Sequence, residues 1–214
     1  MKIGDTMRAG YGRSPAVIIV DMARTLTDPA SPRHVEQSRH CLENLVQLVE
    51  AARAAGIPRF FTKNGLLYYT QKTIPFTDAE RGSWAFKNPV EDRIQDHELW
   101  EISPELNRQP DEIIIEKTKP SAFFSTPLAS YLIQMGIDTL IIGGMVTSNC
   151  VMCTVIDAFQ YNFRVIVPKE GVADRDEHFH DCSLAMIDSK YGDVMEMDEV
   201  LSRLTVRQVR RLDA

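Results

Sequence analysis

Three residues carry side chains that together can transfer an acyl group, and each follows an apolar run. Asp21 comes straight after AVIIV, Lys117 closes DEIIIEK, and Cys150 lies just past TLIIGG, in what reads as the first turn of a helix. A thiol reacts as its thiolate, and a helix N-terminus or a nearby lysine cation favours that anion. A carboxylate can take the thiol proton and later return it to a leaving amine. Each residue alone has a plainer reading. An Asp after a strand serves as a turn or cap residue, a Lys at a strand end is solvated, and a Cys among apolar neighbours packs in a core.

The three can meet only if the runs before them are strands of one sheet, because ligands of an open parallel sheet bind at the strands' carboxyl ends. The pattern fits. Apolar, β-branched runs predict strands over 15–21, 58–63, 111–117, 138–143 and 164–168, with a short one near 193–197. Between them lie amphipathic stretches. One runs from near His34, with Val35, Leu42, Leu45, Val49 and Ala52 on one face, to a stop at Gly56; others span 127–135, 148 to about 161, 177–189 and 198–204. Alternating strands and helices with short connections imply an α/β fold: a mostly parallel six-stranded sheet with helices on both faces, in three αβα layers. The length suits a single domain over residues 1–214. The exception to the pattern is 64–107, which has no clean period and carries Tyr68, Tyr69, Trp84, Phe86 and Trp100. So long an irregular stretch is usually functional or shields a site.

Composition narrows the classes. With 44% hydrophobic and 25% charged residues the chain is ordinary for a globular protein, and its net charge of −6 argues against a nucleic-acid partner. No apolar run reaches the roughly 18–20 residues of a membrane span. The start, MKIGDTMRAGYGRSP, lacks the apolar core of a secretory signal, so a cytoplasmic location is expected, where thiols stay reduced. Cys41, Cys150, Cys153 and Cys182 are then read one by one rather than as a disulfide framework.

Three segments in order, VIIVDMARTLTDP, KTKPSAFFSTPL and GGMVTSNCVMCTVIDAF, resemble the isochorismatase-like cysteine hydrolases. That family includes nicotinamidases, N-carbamoylsarcosine amidases, maleamate amidohydrolases, ureidoacrylate hydrolases and some lactamases. The similarity runs over about 15–204 and is weakest in 64–107. It implies an Asp-Lys-Cys triad at Asp21, Lys117 and Cys150. Lys117 is preferred to Lys119 because the family's lysine stands four residues before the S-A-F segment, here at Ser121. The resemblance also implies a cis peptide between Met145 and Val146, with the Val146 and Cys150 N–H groups as an oxyanion hole. It implies no cofactor: the metal-holding nicotinamidases carry histidines after the second strand, and this chain has none between Phe60 and Asp96.

Within the family, TLTDPASP and VADRDEHFH…DSKYGDV are most similar to the N-carbamoylsarcosine amidase and maleamate amidase branch. That branch commonly has Gly before the nucleophile and Arg two residues after it; here stand Asn149 and Met152. Arg175 is the remaining candidate cation for a substrate carboxylate, and Leu26, Tyr68, Trp84, Phe123 and Thr147 are candidates for lining the pocket. The implied substrate is a small amide, a carbamoyl (ureido) compound or a lactam, and the implied assembly a dimer or tetramer. Rival readings are a thiol-disulfide pair at Cys150 and Cys153, a metal held by His178, His180 and Cys182, and a non-catalytic small-molecule binder on the same fold.

Overall fold

A strand that is apolar at every position needs cover on both faces, because successive side chains point to opposite sides. That is the situation of β1 (Pro15–Val20), buried at all six positions. Val17 and Ile19 enter one core, and Ala16, Ile18 and Val20 the other. The computed structural model describes residues 7–64 and 97–212. Around β1 lie β2 (Arg59–Asn64), β3 (Ile113–Lys117), β4 (Thr139–Met145), β5 (Arg164–Pro168), β6 (Val172–Ala173) and β7 (Asp193–Met195). All pair in parallel, in the order β3-β2-β1-β4-β5-β7, with β6 beside β4. The αβα class expected from the sequence is the one found. The strand number is seven among the described residues rather than six. The extra strand is β6, whose two residues are too few to show any alternation.

Helices α1 (Arg24–Thr27), α2 (Ser38–Ala54), α3 (Leu128–Gln134), α4 (Met152–Gln160), α5 (Glu177–Lys190) and α6 (Met197–Leu212) complete the layers. Leu45, Leu48 and Val49 of α2 and Met197, Val200 and Leu204 of α6 pack on one face of the sheet. Leu128 and Leu132 of α3, Val155 and Ala158 of α4, and Leu184 and Ile187 of α5 cover the other. Each fully buried Leu contributes on the order of 1.5–3 kcal/mol. Among the described residues no helix is long and apolar enough to cross a membrane.

Two features of this layout set up the site. The chain steps from β1 outward to β2 and β3, then returns to place β4 on β1's other side. The carboxyl ends of β1 and β4 are therefore the point where the winding reverses, which is where open parallel sheets generally bind ligands. The second feature is Gly144, whose φ is +128° and whose missing Cβ would stand 2.0 Å from the Val20 carbonyl oxygen. Any side chain there would push β4 away from the end of β1.

Candidate active site

β1 ends in a tight turn, with Asp21 in the left-handed region at φ 48° and the Ala23 N–H donating to its carbonyl at 2.8 Å. This conformation is uncommon outside glycine, though Asp tolerates it better than most residues. Neighbouring β2 holds it there: the Asp21 N–H donates to Thr62 Oγ1 at 3.0 Å, and that hydroxyl donates back to Asp21 Oδ1 at 2.6 Å. The other carboxylate oxygen, Oδ2, lies 2.6 Å from Lys117 Nζ. β3 is two strands from β1, about 9.6 Å at ~4.8 Å per strand. A side chain from β3 must cross β2 to arrive, and a lysine is long enough.

The Lys117 ammonium has three protons and three acceptors: Asp21 Oδ2, the Lys119 carbonyl at 3.1 Å and Cys150 Sγ at 3.6 Å. Lys119, the rival lysine, thus joins the site through its backbone. The chain beyond β3 folds back onto the helix that follows the thiol. Ser121 Oγ donates to Asp157 Oδ2, the Ala122 N–H donates to Thr154 Oγ1 at 3.0 Å, and Thr154 Oγ1 donates to the Cys150 carbonyl at 2.7 Å. The four-residue spacing from Lys117 to Ser121 is the length of this return.

After β4 comes the cis Met145–Val146 peptide and a π turn over Thr147–Val151, which carries Cys150. The Val146 carbonyl accepts the N–H groups of Asn149 at 3.2 Å and Val151 at 3.3 Å, and neither bond uses the N–H of Cys150. From outside, the Ser148 N–H donates to Asp174 Oδ2 at 2.7 Å, and Thr147 Oγ1 is 2.9 Å from His180 Nδ1.

The electrostatics correct one expectation. Burial lowers the pKa of Lys117, but the charges of Asp21 and Cys150 outweigh it and hold the ammonium above its ordinary value. Cys150 moves the opposite way from the low-pKa thiolate that a helix start suggested. Burial pushes it up, Lys117 pulls it down, and the charge and hydrogen bond of Asp21 push it up again, to about 12. Burial and Asp21 thus favour the protonated thiol, beside the Lys117–Asp21 ion pair. A helix terminus acts through its orphan N–H groups over one turn, and here a carboxylate and burial outweigh it.

The remaining candidates fall in different places. Leu26 and Phe123 are committed to packing: Leu26 belongs to the α2 core, and Phe123 is 4% exposed and stacks on Tyr161 at 5.3 Å and Phe163 at 6.2 Å. Thr147 is fully buried, its hydroxyl engaged by His180. Arg175 follows Asp174 and donates from Nη2 to the Arg33 carbonyl at 2.9 Å; burial lowers its pKa, the Asp174 charge opposes that, and the Arg33 charge adds to it. Tyr68 and Trp84 lie outside the described residues. Cys150 and Cys153 are both free thiols. The His178, His180 and Cys182 side chains do not converge: His178 and Cys182 lie 3.8 Å apart one turn along α5, while His180 turns to Thr147. Thr62 and Asp174 were not among the candidates the sequence offered, and His180 was one only as a metal ligand with His178 and Cys182. Thr62 carried a usable signal, as a polar residue next to FF at the end of a strand.

Comparison with known proteins agrees with this architecture. The model of the isochorismatase domain matches residues 15–199. Over 94% of the chain and 75% of the relative, the sequence is 36% identical to the N-carbamoylsarcosine amidase of an Arthrobacter species. It is 33% identical to the maleamate amidohydrolase of Pseudomonas putida, over 92% of the chain and 90% of that protein. Among solved structures, a cysteine hydrolase from Pseudomonas syringae superposes with a TM-score of 0.81 at 24% identity, covering 90% of this chain and 93% of the other. The N-carbamoylsarcosine amidase of Thermoplasma acidophilum gives 0.67 at 22% identity, covering 87% and 98%. With the domain match spanning nearly the whole sheet and the two relatives above 30% identity, the chain belongs to the isochorismatase family.

Proposed function

We propose that the protein is a cysteine-dependent amidohydrolase that cleaves a small amide, carbamoyl or lactam C–N bond through a thioester. The observation that carries this reading is the single ammonium of Lys117 lying 2.6 Å from the Asp21 carboxylate and 3.6 Å from the Cys150 sulfur. Asp21 is the base. It accepts the thiol proton as sulfur attacks the substrate carbonyl, so the thiolate never accumulates at rest. Lys117 balances the negative charge that passes from oxygen to sulfur. The Val146 and Cys150 N–H groups receive the developing oxyanion, a contribution of about 3 kcal/mol for one such donor. As the C–N bond breaks, Asp21 returns the proton to the departing nitrogen. Water, deprotonated by the same carboxylate, then hydrolyses the acyl–sulfur bond and regenerates the thiol.

The reading also assigns a second anchor. Arg33 and Arg175 lie side by side next to the nucleophile turn, and among the described residues neither has a carboxylate within ion-pair distance. The Arg33 guanidinium lies 5.7 Å from the centre of the Trp100 ring, and its buried Nε has no hydrogen-bond partner. Two adjacent cations, with Asp174 as the one carboxylate whose charge acts on Arg175 among the described residues, leave a net positive charge that favours an anionic group on the substrate, so a carboxylate-bearing amide or ureido acid is the preferred class. They occupy the role that Met152 leaves open.

An ammonia-release screen over primary amides and ureido acids tests the reading, with Cys150→Ala as the blank. Turnover is expected with at least one carboxylate-bearing compound, and a loss of at least ~10³-fold in the variant. Wild-type turnover by Cys150→Ala would refute it.

A further inference from the structure

We propose that His180 is a positioning residue for hydrolysis: through its bond to Thr147 it sets the turn that carries Cys150, with Asp174 fixing the next residue of that turn. The inference rests on the cysteine-hydrolase reading and extends it to a part of the fold that supplies no reacting atom.

The geometry begins at β6. Its two residues pair with the end of β4, Val172 beside Gly144 and Ala173 beside Met145, so the chain leaves β6 alongside the Met145–Val146 peptide. Asp174 comes next and is 7% exposed. One of its oxygens takes the Ser148 N–H and the other the Arg175 N–H at 2.8 Å. Asp176 then caps α5, its side chain accepting the Phe179 N–H at 3.0 Å. Capping fixes the first turn of the helix, and with it the direction of His180, whose N–H donates to the Asp176 carbonyl at 3.0 Å. His180 Nδ1 meets the hydroxyl of Thr147, which is fully buried. A buried hydroxyl without a partner is costly, so this contact determines which way Thr147 faces.

Thr147 and Ser148 are consecutive residues of the π turn, and β6 and α5 hold them from outside. Thr147 follows Val146, a proposed oxyanion donor, and precedes Cys150 by three residues. A rotation of the turn would move donor and nucleophile together, and misplacement by ~1 Å costs up to about 10²-fold in rate. His180 is partly exposed on the first turn of α5, and its ring is not in either core cluster. Its removal should therefore alter turnover more than stability.

A double-mutant cycle on Thr147→Val and His180→Leu tests the inference, with His180→Asn and His180→Gln as controls. An asparagine amide can reach the position of Nδ1, whereas glutamine reaches that of Nε2. Each of the two cycle variants should lower kcat about 10-fold, equivalent to ~1.4 kcal/mol. KM should stay within about twofold, and the double variant should be no slower than either single one. His180→Asn should recover most of the rate and His180→Gln should not. Alkylation of Cys150 by iodoacetamide, followed at its own peptide by mass spectrometry, should change in the same two variants without any substrate present. Losses that multiply in the double variant, or equal losses for Asn and Leu, would overturn the inference. Retained turnover by Cys150→Ala would instead overturn the nucleophile assignment beneath it.

Discussion

The thiol pKa of about 12 makes Cys150 dependent on its neighbours, and its two charged partners act on it in opposite directions. Lys117 stabilises the thiolate, so Lys117→Met should slow alkylation of Cys150. Asp21 opposes the thiolate, so Asp21→Asn should speed alkylation at fixed pH while abolishing amide turnover, because the proton acceptor is gone. Rates of iodoacetamide labelling at the Cys150 peptide, measured beside ammonia release, check both signs. In the wild type the labelling rate should keep rising about tenfold per pH unit to beyond pH 9, since the ordinary thiol pKa is far below that of this site. A plateau near pH 7 would show a preformed thiolate. Asp21, Lys117 and Cys150 were legible as candidates because each stands where an apolar run stops. Their proton distribution was not, because it depends on burial and on distances within 4 Å that no spacing encodes.

At the scale of elements, the site depends on β3 being held in register with β2, and a buried carboxylate ties these strands to α2. Glu112, its side chain fully buried, accepts from Arg53 Nε at 2.8 Å, Arg59 Nε at 2.7 Å and the Gln109 N–H at 2.8 Å. Burial would raise its pKa, but the hydrogen bonds from Arg53, Gln109 and Arg59 bring it from 4.5 to about 2. A carboxylate lowered in the folded state stabilises fully above its unfolded value and loses that contribution as pH falls through the folded one. About 3 kcal/mol should therefore disappear between pH 5 and pH 2. Glu112→Gln should cost a similar amount at pH 7, lowering Tm by roughly 6–12 °C, and should flatten the acid limb in calorimetry. The helices could be read from the sequence because a core on one side imposes a period, and the longer strands because cover on both faces makes an unbroken apolar run. β6 could not, since two residues have no period, and β6 is what brings Asp174 and His180 to the nucleophile turn. The π turn is indistinguishable from ordinary helix in sequence, because its residues, Thr147–Val151, carry no signal that separates the two.

On the scale of the whole molecule, the fold follows from the order in which the strands are laid down. The winding reverses between β1 and β4, and Asp21, the nucleophile turn and the Asp174–Arg175 segment all open onto that edge. The sequence conveyed this edge through the alternation of elements, whereas the Arg33–Arg175 pairing, 142 positions apart, emerged only with the fold. In a chain of net charge −6, this pair is the proposed cationic anchor. Arg175→Gln should raise KM about 10-fold for a carboxylate-bearing amide and leave a neutral amide unchanged. Added salt should raise KM for the anionic substrate alone, because screening weakens the same attraction. The central claim is that sulfur at position 150 becomes acylated during turnover. The direct measurement is the mass of the Cys150 peptide after wild-type enzyme, turning over an amide or ureido substrate, is quenched in acid. The account requires an adduct equal to the substrate less ammonia, absent after the reaction has run out. Steady ammonia release with an unmodified Cys150 peptide at every quench time, persisting in Cys150→Ala, would contradict it.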